Sequence, residues 1–510
     1  MNKFQQRFIK LFLSLLITSL CLTQSTVFAD VKLPHVIGSN MVLQRDIPVP
    51  IWGWADADEE ITVMLGEHKV STKADAKGNW QVKFPAMSAG GPHQMTVSGK
   101  NTIELTNVLV GEVWICSGQS NMEWSVSRSN NGEAEIASAN YPQIRLFHVP
   151  KKPSGLPASD VNAVWRPTEP DTIKNFSAVA YFFGRRLHKE LGVPIGLINT
   201  SWGGTRIEPW TPPIGFASVP KVRSIHQEIQ ETNSNYRKEL VQRLEEIEAW
   251  VQETRNALAK DQPIFPMPEN PHPLNHHAKP TGLYNGMVYP LVPFAMRGVI
   301  WYQGESNLQD GLMYHEKMKA LINGWREVWE QGDFPFYFVQ LAPFEYRTDP
   351  LALPQIWEAQ TETLSIPNTG MAVITDIGNL KNIHPRNKQE VGVRLALWAL
   401  AKTYERSNLV YSGPLYKSMK AEGNKIRIGF NHVGGGLTPR DGKPLTWFEI
   451  AGKDKSFVNA QAKIDGDEVV VWSDTVIEPV AVRFGWHQEA EPNLMNKEGL
   501  PASPFRTHKW

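Results

Sequence analysis

One serine in this chain stands where a strand could deliver it to chemistry. Val113-Trp114-Ile115-Cys116 is an apolar, β-prone run that breaks at Gly118 and continues as Gln119-Ser120-Asn121-Met122 before Glu123-Trp124. A strand that stops abruptly in Gly and a small polar residue carries a hydroxyl to the rim of a sheet, which makes Ser120 the candidate nucleophile. The same pattern serves helix caps and tight turns, so Ser120 needs partners. A serine nucleophile requires a base within hydrogen-bond reach, a group that orients the base, and donors aimed at the developing oxyanion.

Among 14 histidines, His384 is the candidate base. Thr375-Asp376-Ile377-Gly378 precedes it at the end of an expected strand and Pro385 follows it, a loop position where α/β folds place working residues. Asp376 is the nearest carboxylate upstream and the candidate orienting acid, although an Asp closing a strand also serves as a cap. Two Gly-containing turns could supply oxyanion donors. Asn199-Thr200-Ser201-Trp202-Gly203-Gly204-Thr205 would expose backbone N–H groups, and Tyr302-Gln303-Gly304-Glu305-Ser306-Asn307 offers the amides of Gln303 and Asn307. Both are also ordinary tight turns between a strand and a helix, where Gly supplies positive φ. His272, His276 and His277 are loosely spaced and interrupted by Pro273, so they read as loop and no metal or other cofactor is expected.

The elements that must hold these residues alternate in type. Val108–Ile115 is an expected strand, Ala178–Leu191 a helix and Ile195–Asn199 a strand. Further strands are expected at 297–302, 336–341 and 371–374, with helices at 314–329 and 389–404. Strands alternating with helices argue an α/β domain with a mostly parallel sheet, placed at 107–404. Apolar residues from Ile225 to Leu258 at spacings near three and four add a helical insertion at about 215–262. Its plain reading is a packing arm; a lid or a dimer contact is the sharper one. Short β-type runs separated by turn residues flank this region, giving a small β-sandwich at 30–106 and a second all-β domain at 405–510.

Composition bounds the function. The 510 residues carry 52 Lys and Arg against 52 Asp and Glu, which gives no basic field for nucleic acid. Lys3, Arg7 and Lys10, the apolar run Leu11–Leu22 and Val27-Phe28-Ala29 read as a signal peptide over residues 1–29. Its removal takes three of the 52 cations and leaves 49 against 52 acidic side chains. An exported protein, periplasmic or secreted and without stable membrane insertion, is expected. Cys21 leaves with the signal, so Cys116 remains alone and cannot form an internal disulfide. Within its apolar run Cys116 reads as a buried, inert thiol.

The segments GQSNMEW at 118–124, SWGGTRIEPW at 201–210, LYNGMVYPL at 283–291, WYQGESN at 301–307 and IHP at 383–385 together resemble the sialate O-acetylesterase family of the SGNH hydrolases. NLMNKEGLPASPFRT near the end resembles that family's C-terminus. The resemblance implies a flavodoxin-like three-layer α/β/α hydrolase domain between β domains, and an esterase that removes acetyl groups from sugar hydroxyls without a metal. It implies Ser120 as nucleophile and His384 as general base. It also implies an oxyanion hole from the Ser120 N–H, a glycine of the Gly203-Gly204 pair, and the amide of Gln303 or Asn307. SGNH enzymes often carry their acid three residues before the histidine, where this chain has Lys381. The acid is therefore Asp376, a more distant carboxylate, or absent, with His384 held by a backbone carbonyl in a Ser-His dyad.

The substrate implied is an acetylated sugar or oligosaccharide: a sialic acid, or a hemicellulose such as xylan or xyloglucan. Of the 18 tryptophans, Trp124 and Trp202 lie in the motif segments and could stack on a sugar face. Arg206 could bind a sialic-acid carboxylate in bidentate fashion or pair with Glu208. The competing readings are an SGNH esterase or lipase of broad acyl specificity and a carbohydrate-binding protein without catalysis.

Overall fold

The computed structural model describes residues 30–510, and the expected leader at 1–29 lies outside the described residues. Seven strands form the sheet that carries the site. Their order is Thr369–Ala372, Phe336–Val339, Gly298–Tyr302, Thr102–Gly118, Ile195–Asn199, Tyr141–His148 and Trp165–Thr168. Neighbours run parallel except the last pair, which is antiparallel. The fold is thus mixed α/β, with a mixed central sheet and additional all-β sheets.

Side-chain alternation along the strands assigns the faces. Trp114 lies opposite Gly298 and Ile300 opposite Tyr337, so these four share one face. There Trp114 packs edge-on against Phe183 and stacks on Tyr337, which meets Trp398. Trp301 points the other way, against Trp210 and Phe336, and Trp325 closes on Phe336. Helices therefore cover both faces. Ala178–Leu191 begins where Ser177 accepts the Ala180 N–H at 3.2 Å and ends at Gly192 with φ of 66°, local signals that stop and start a helix wherever they occur. It packs against Lys388–Trp398 so closely that a Cβ on Gly392 would lie 2.7 Å from Phe182 Cβ.

Thr102–Gly118 is the axis of the molecule. Its first half pairs antiparallel with Gly90–Ser98, and its middle is joined by Val42–Gln44. From Val108 on every residue is buried, as expected of a strand covered on both faces. Residue 106, the expected end of the small β-sandwich, falls within this single strand. Glu112, fully buried, sits at the join and accepts from Arg45 Nε at 2.5 Å, Arg297 Nε at 2.7 Å and Gln44 Nε2 at 3.0 Å. A two-stranded sheet, Val49–Trp54 with Asn79–Phe84, completes the N-terminal β layer. At the other end two four-stranded sheets enclose a separate core of Ile426, Ile428, Val469, Val471, Ile450, Val482 and Phe484.

The insertion is a single helix, Arg223–Ala259, of 37 residues, roughly 55 Å long at 1.5 Å per residue. Ile229 is buried, while Val241, Leu244 and Leu258 are half or more exposed. The chain then folds back along it, with Trp250 Nε1 donating to the Phe265 carbonyl at 2.8 Å. Among the elements of the central domain that lie outside the sequence-based expectation are the strands Tyr141–His148 and Trp165–Thr168 and the helix Ala352–Glu362. Tyr141–His148 buries only Ile144-Arg145-Leu146-Phe147, and its Pro142 and Gln143 hide the strand pattern. Among the described residues no helix is long and apolar enough to cross a membrane.

Candidate active site

Gly118 ends the axial strand at φ 139°, and a Cβ there would stand 2.1 Å from the Tyr302 carbonyl oxygen. Only glycine permits that approach together with that φ. Gly118→Ala is expected to cost about 3 kcal/mol or more, from strain plus a steric clash, read as a lowered unfolding midpoint and a loss of activity. Gln119 fixes the next step. Its N–H donates to the Tyr302 carbonyl at 3.0 Å, and its Oε1 accepts from Gln303 Nε2 at 3.1 Å and the Ser306 N–H at 3.2 Å. Ser120 then opens the short helix Ser120–Glu123 at the carboxyl end of the sheet.

Ser120 and His384, 264 residues apart, meet there: His384 Nε2 lies 2.8 Å from Ser120 Oγ. The His384 loop is held in three ways. The His384 N–H donates to Asn382 Oδ1 at 2.9 Å, Asn121 Nδ2 donates to the Ile383 carbonyl at 3.0 Å, and the Trp124 ring stacks on the imidazole with centroids 4.8 Å apart at 19°. Burial, Lys388 and Arg128 all push the imidazole below its usual pKa of 6.5.

Asp376 is placed differently from the expected orienting acid. Its two oxygens accept from Arg394 at 2.6 and 2.7 Å in a buried fork, and Arg394 also donates to the Val373 carbonyl at 2.8 Å. Among the described residues no carboxylate hydrogen-bonds to His384. The carboxylate and guanidinium are planar, complementary forks, and this match ties Asp376 to the helix that follows rather than to the imidazole.

The expected oxyanion donors also separate. Gln303 is fully buried, with Nε2 engaged by Gln119 Oε1, the Thr205 carbonyl and Asn307 Oδ1. Asn307 spends its amide on Glu208 at 3.1 Å and Asp310 at 2.6 Å. Both amides brace the loops beneath the site, and neither presents an idle donor to Ser120. Gly203 packs directly on the serine, since a Cβ on it would lie 3.2 Å from Ser120 Cβ. Its N–H, however, is taken by Glu123 Oε2 at 2.6 Å. Gly204 differs: it is exposed, and a Cβ there would meet nothing within 4 Å.

Arg206 does not offer a free fork either. It pairs with Glu208 and Asp310 at 2.9 Å, and Lys317 joins both carboxylates at 2.7 Å. Burial raises the Glu208 pKa, but Arg206 and Lys317 outweigh it and hold the carboxyl at about 2. Trp124 and Trp202 both stand beside the site. Trp202 stacks on His277 with centroids 5.3 Å apart, below Lys151, which pairs with Glu123. Arg128 lies 3.8 Å over the Trp124 ring and is exposed. Cys116 is buried with its thiol pKa raised by burial. Among the described residues no group of three or more His, Cys, Asp or Glu side chains is arranged to hold a metal ion.

His277, read from the sequence only as loop, stacks on Trp202, and Asn121, Glu123, Arg128, Lys151, Glu305 and Lys388 neighbour the site without a role assigned from the sequence. Asn121, Glu123 and Glu305 lie inside the motif segments, which was a usable signal. Lys388, four residues after His384 in a helix with ordinary polar neighbours, carried none.

The profile of the family described as "Carbohydrate esterase, sialic acid-specific acetylesterase" matches residues 110–260 and 271–400. Sialate O-acetylesterase of Rattus norvegicus is 33% identical over 431 residues, covering 75% of this chain and 76% of that protein. Its Homo sapiens counterpart is 32% identical, covering 76% and 74%. The crystal structure of a carbohydrate acetylesterase from Xanthomonas citri superposes with a TM-score of 0.80 at 38% identity, over 94% of this chain and all of that one. With more than half of its residues matched by that profile, and a third of them identical to those relatives across three quarters of its length, the chain belongs to the sialic acid-specific acetylesterase family of carbohydrate esterases.

Proposed function

We propose that this carbohydrate O-acetylesterase works through Ser120 and His384 by an acyl-enzyme route. The observation that carries the assignment is the 2.8 Å contact between His384 Nε2 and Ser120 Oγ at the carboxyl end of the sheet. His384 takes the Ser120 proton as Oγ attacks the acetyl carbonyl, then returns it to the departing sugar oxygen. Water, activated by the same imidazole, releases acetate. The Ser120 N–H stands at the start of a helix, and Gly204, next to the Gly203 that packs on the serine, is exposed; in this reading the backbone N–H groups of these two residues are the oxyanion donors. Gly203 joins them when Glu123 yields its N–H. The reading fits an SGNH-type three-layer hydrolase unit between β domains, and the sequence at 3–29 supports an exported setting.

The substrate is an O-acetylated sugar. A sialic acid is favoured by the exposed guanidinium of Arg128 beside the site, because that sugar carries a carboxylate. Trp124 and Trp202 supply flat faces for the pyranose. Acetate release from acetylated sialic acids, xylo-oligosaccharides and xyloglucan fragments tests this: faster turnover of neutral glycans than of sialic acids would overturn the sialic-acid reading. A preference for aryl esters longer than butyrate would sink the acetyl assignment itself.

The pH dependence follows from His384. The imidazole must be neutral to accept a proton, and its pKa is held below 6.5. Activity is therefore lost only as pH falls through a value lower than that of free histidine. The acid limb of kcat/KM for an aryl acetate is expected below pH 6.5.

A further inference from the structure

Beneath Ser120 lies a buried ionic chain that the two-residue chemistry does not use. Lys388, fully buried, donates from Nζ to Asn121 Oδ1 at 2.5 Å. Asn121 Nδ2 donates in turn to Glu305 Oε1 at 2.5 Å and to the Ile383 carbonyl at 3.0 Å. Asn121 is the residue after the nucleophile and Ile383 the residue before the base, so one amide spans both. Glu305 Oε2 and the hydroxyls of Tyr302 and Tyr346 are buried around this chain without a hydrogen-bond partner. A charged lysine and a carboxylate in such a place are costly, and a core that needed only packing would be served by apolar residues.

Resting on the reading of Ser120 and His384 given above, we propose that Lys388 and Asn121 are positioning residues: the lysine locks the Asn121 amide, which clamps the His384 loop against Ser120 and so replaces the orienting contact of a triad carboxylate. The charge differs from that of a triad acid. Lys388 Nζ is 5.9 Å from the Trp124 ring that stacks on His384, and 5.2 Å from the Tyr302 ring. The charges acting on His384 are Lys388 and Arg128, both cationic, whereas Glu123 beyond Ser120 is paired with Lys151 and Glu305 faces Lys388. Burial pushes the Lys388 pKa down to about 7, with Glu305 opposing and Arg128 assisting, and burial raises that of Glu305. As pH falls below 7 the lysine becomes fully charged and resists protonation of the neighbouring imidazole, which keeps the base competent.

The test is the pH profile of kcat/KM for an aryl acetate in Lys388→Met, in the charge-balanced Lys388→Met/Glu305→Gln, and in Asn121→Ala, each with its unfolding midpoint. The acid limb should move up by about half a pH unit or more in both lysine variants. In Asn121→Ala, kcat should fall about tenfold to a hundredfold, with KM within about twofold. A lysine that only stabilises the fold would lower the midpoint and leave the limb where it was. An unmoved limb in the folded double variant, or a parental kcat in Asn121→Ala, overturns the proposal. Ser120→Ala run beside them separates the two readings: if it is active the underlying mechanism fails, and if it is inactive while the limb stays put only the positioning role fails.

Discussion

Ser120→Ala is expected to lower kcat for acetyl ester hydrolysis by about 10⁴- to 10⁶-fold while leaving the unfolding midpoint within a degree or two of the parent. The size follows from the role. Without Oγ there is no covalent intermediate, and a water in its place lacks the fixed approach that Gln119, anchored on Tyr302 and Gln303, imposes on the serine. The unchanged stability follows from the surroundings, since Ser120 is only half-buried and its side chain meets His384 across a site open to solvent. His384→Ala should produce a comparable loss, and the double variant should be little worse than either single one. Two groups that act as a unit are grossly non-additive. Activity in Ser120→Ala above a thousandth of the parent would mean that another nucleophile does the work.

The two residues were readable from sequence for different reasons than their neighbours were not. Ala178–Leu191 and Ile195–Asn199 lie where local pattern puts them, because a capping serine, a left-handed glycine and a short buried run with Ile195, Leu197 and Ile198 act over a few positions. Tyr141–His148 is a strand because both its neighbours in the sheet require one, which no local signal reports. The same divide runs through the site. Ser120 and His384 sit in segments whose order along the chain matches a family, so their meeting across 264 residues could be anticipated. The partners of Gln303 and Asn307 could not, and of those of Arg206 only Glu208, two residues on, could. Side-chain amides and guanidinium groups bind whichever carboxylate the fold brings near, and here Glu208 and Asp310 arrive first. Gly203 illustrates the point most sharply. It lies against Ser120, yet Glu123, 80 residues earlier, already occupies the N–H expected to serve as a donor.

Asp376→Asn is expected to lower stability by about 3–5 kcal/mol and to leave kcat of the folded protein within about threefold of the parent. The carboxylate and Arg394 are both buried, with side chains 8% and 6% exposed, and the bonds at 2.6 and 2.7 Å are the main compensation for taking those charges out of water. An amide keeps the shape but presents one acceptor where two were used, and Arg394 keeps only the exposed Glu390 carboxylate, 3.9 Å away, as a counter-charge. The measurement is an unfolding midpoint together with kcat normalised to folded protein. A triad acid behaves in the opposite way: its amide variant keeps the fold and loses activity by about 10⁴-fold, because the imidazole is held in the wrong tautomer. That outcome would restore Asp376 to the catalytic set and require its fork with Arg394 to open during turnover. Loss of stability with catalysis retained would instead leave His384 oriented by what touches it now: the Trp124 ring, the Asn382 side chain and the Asn121 clamp on Ile383.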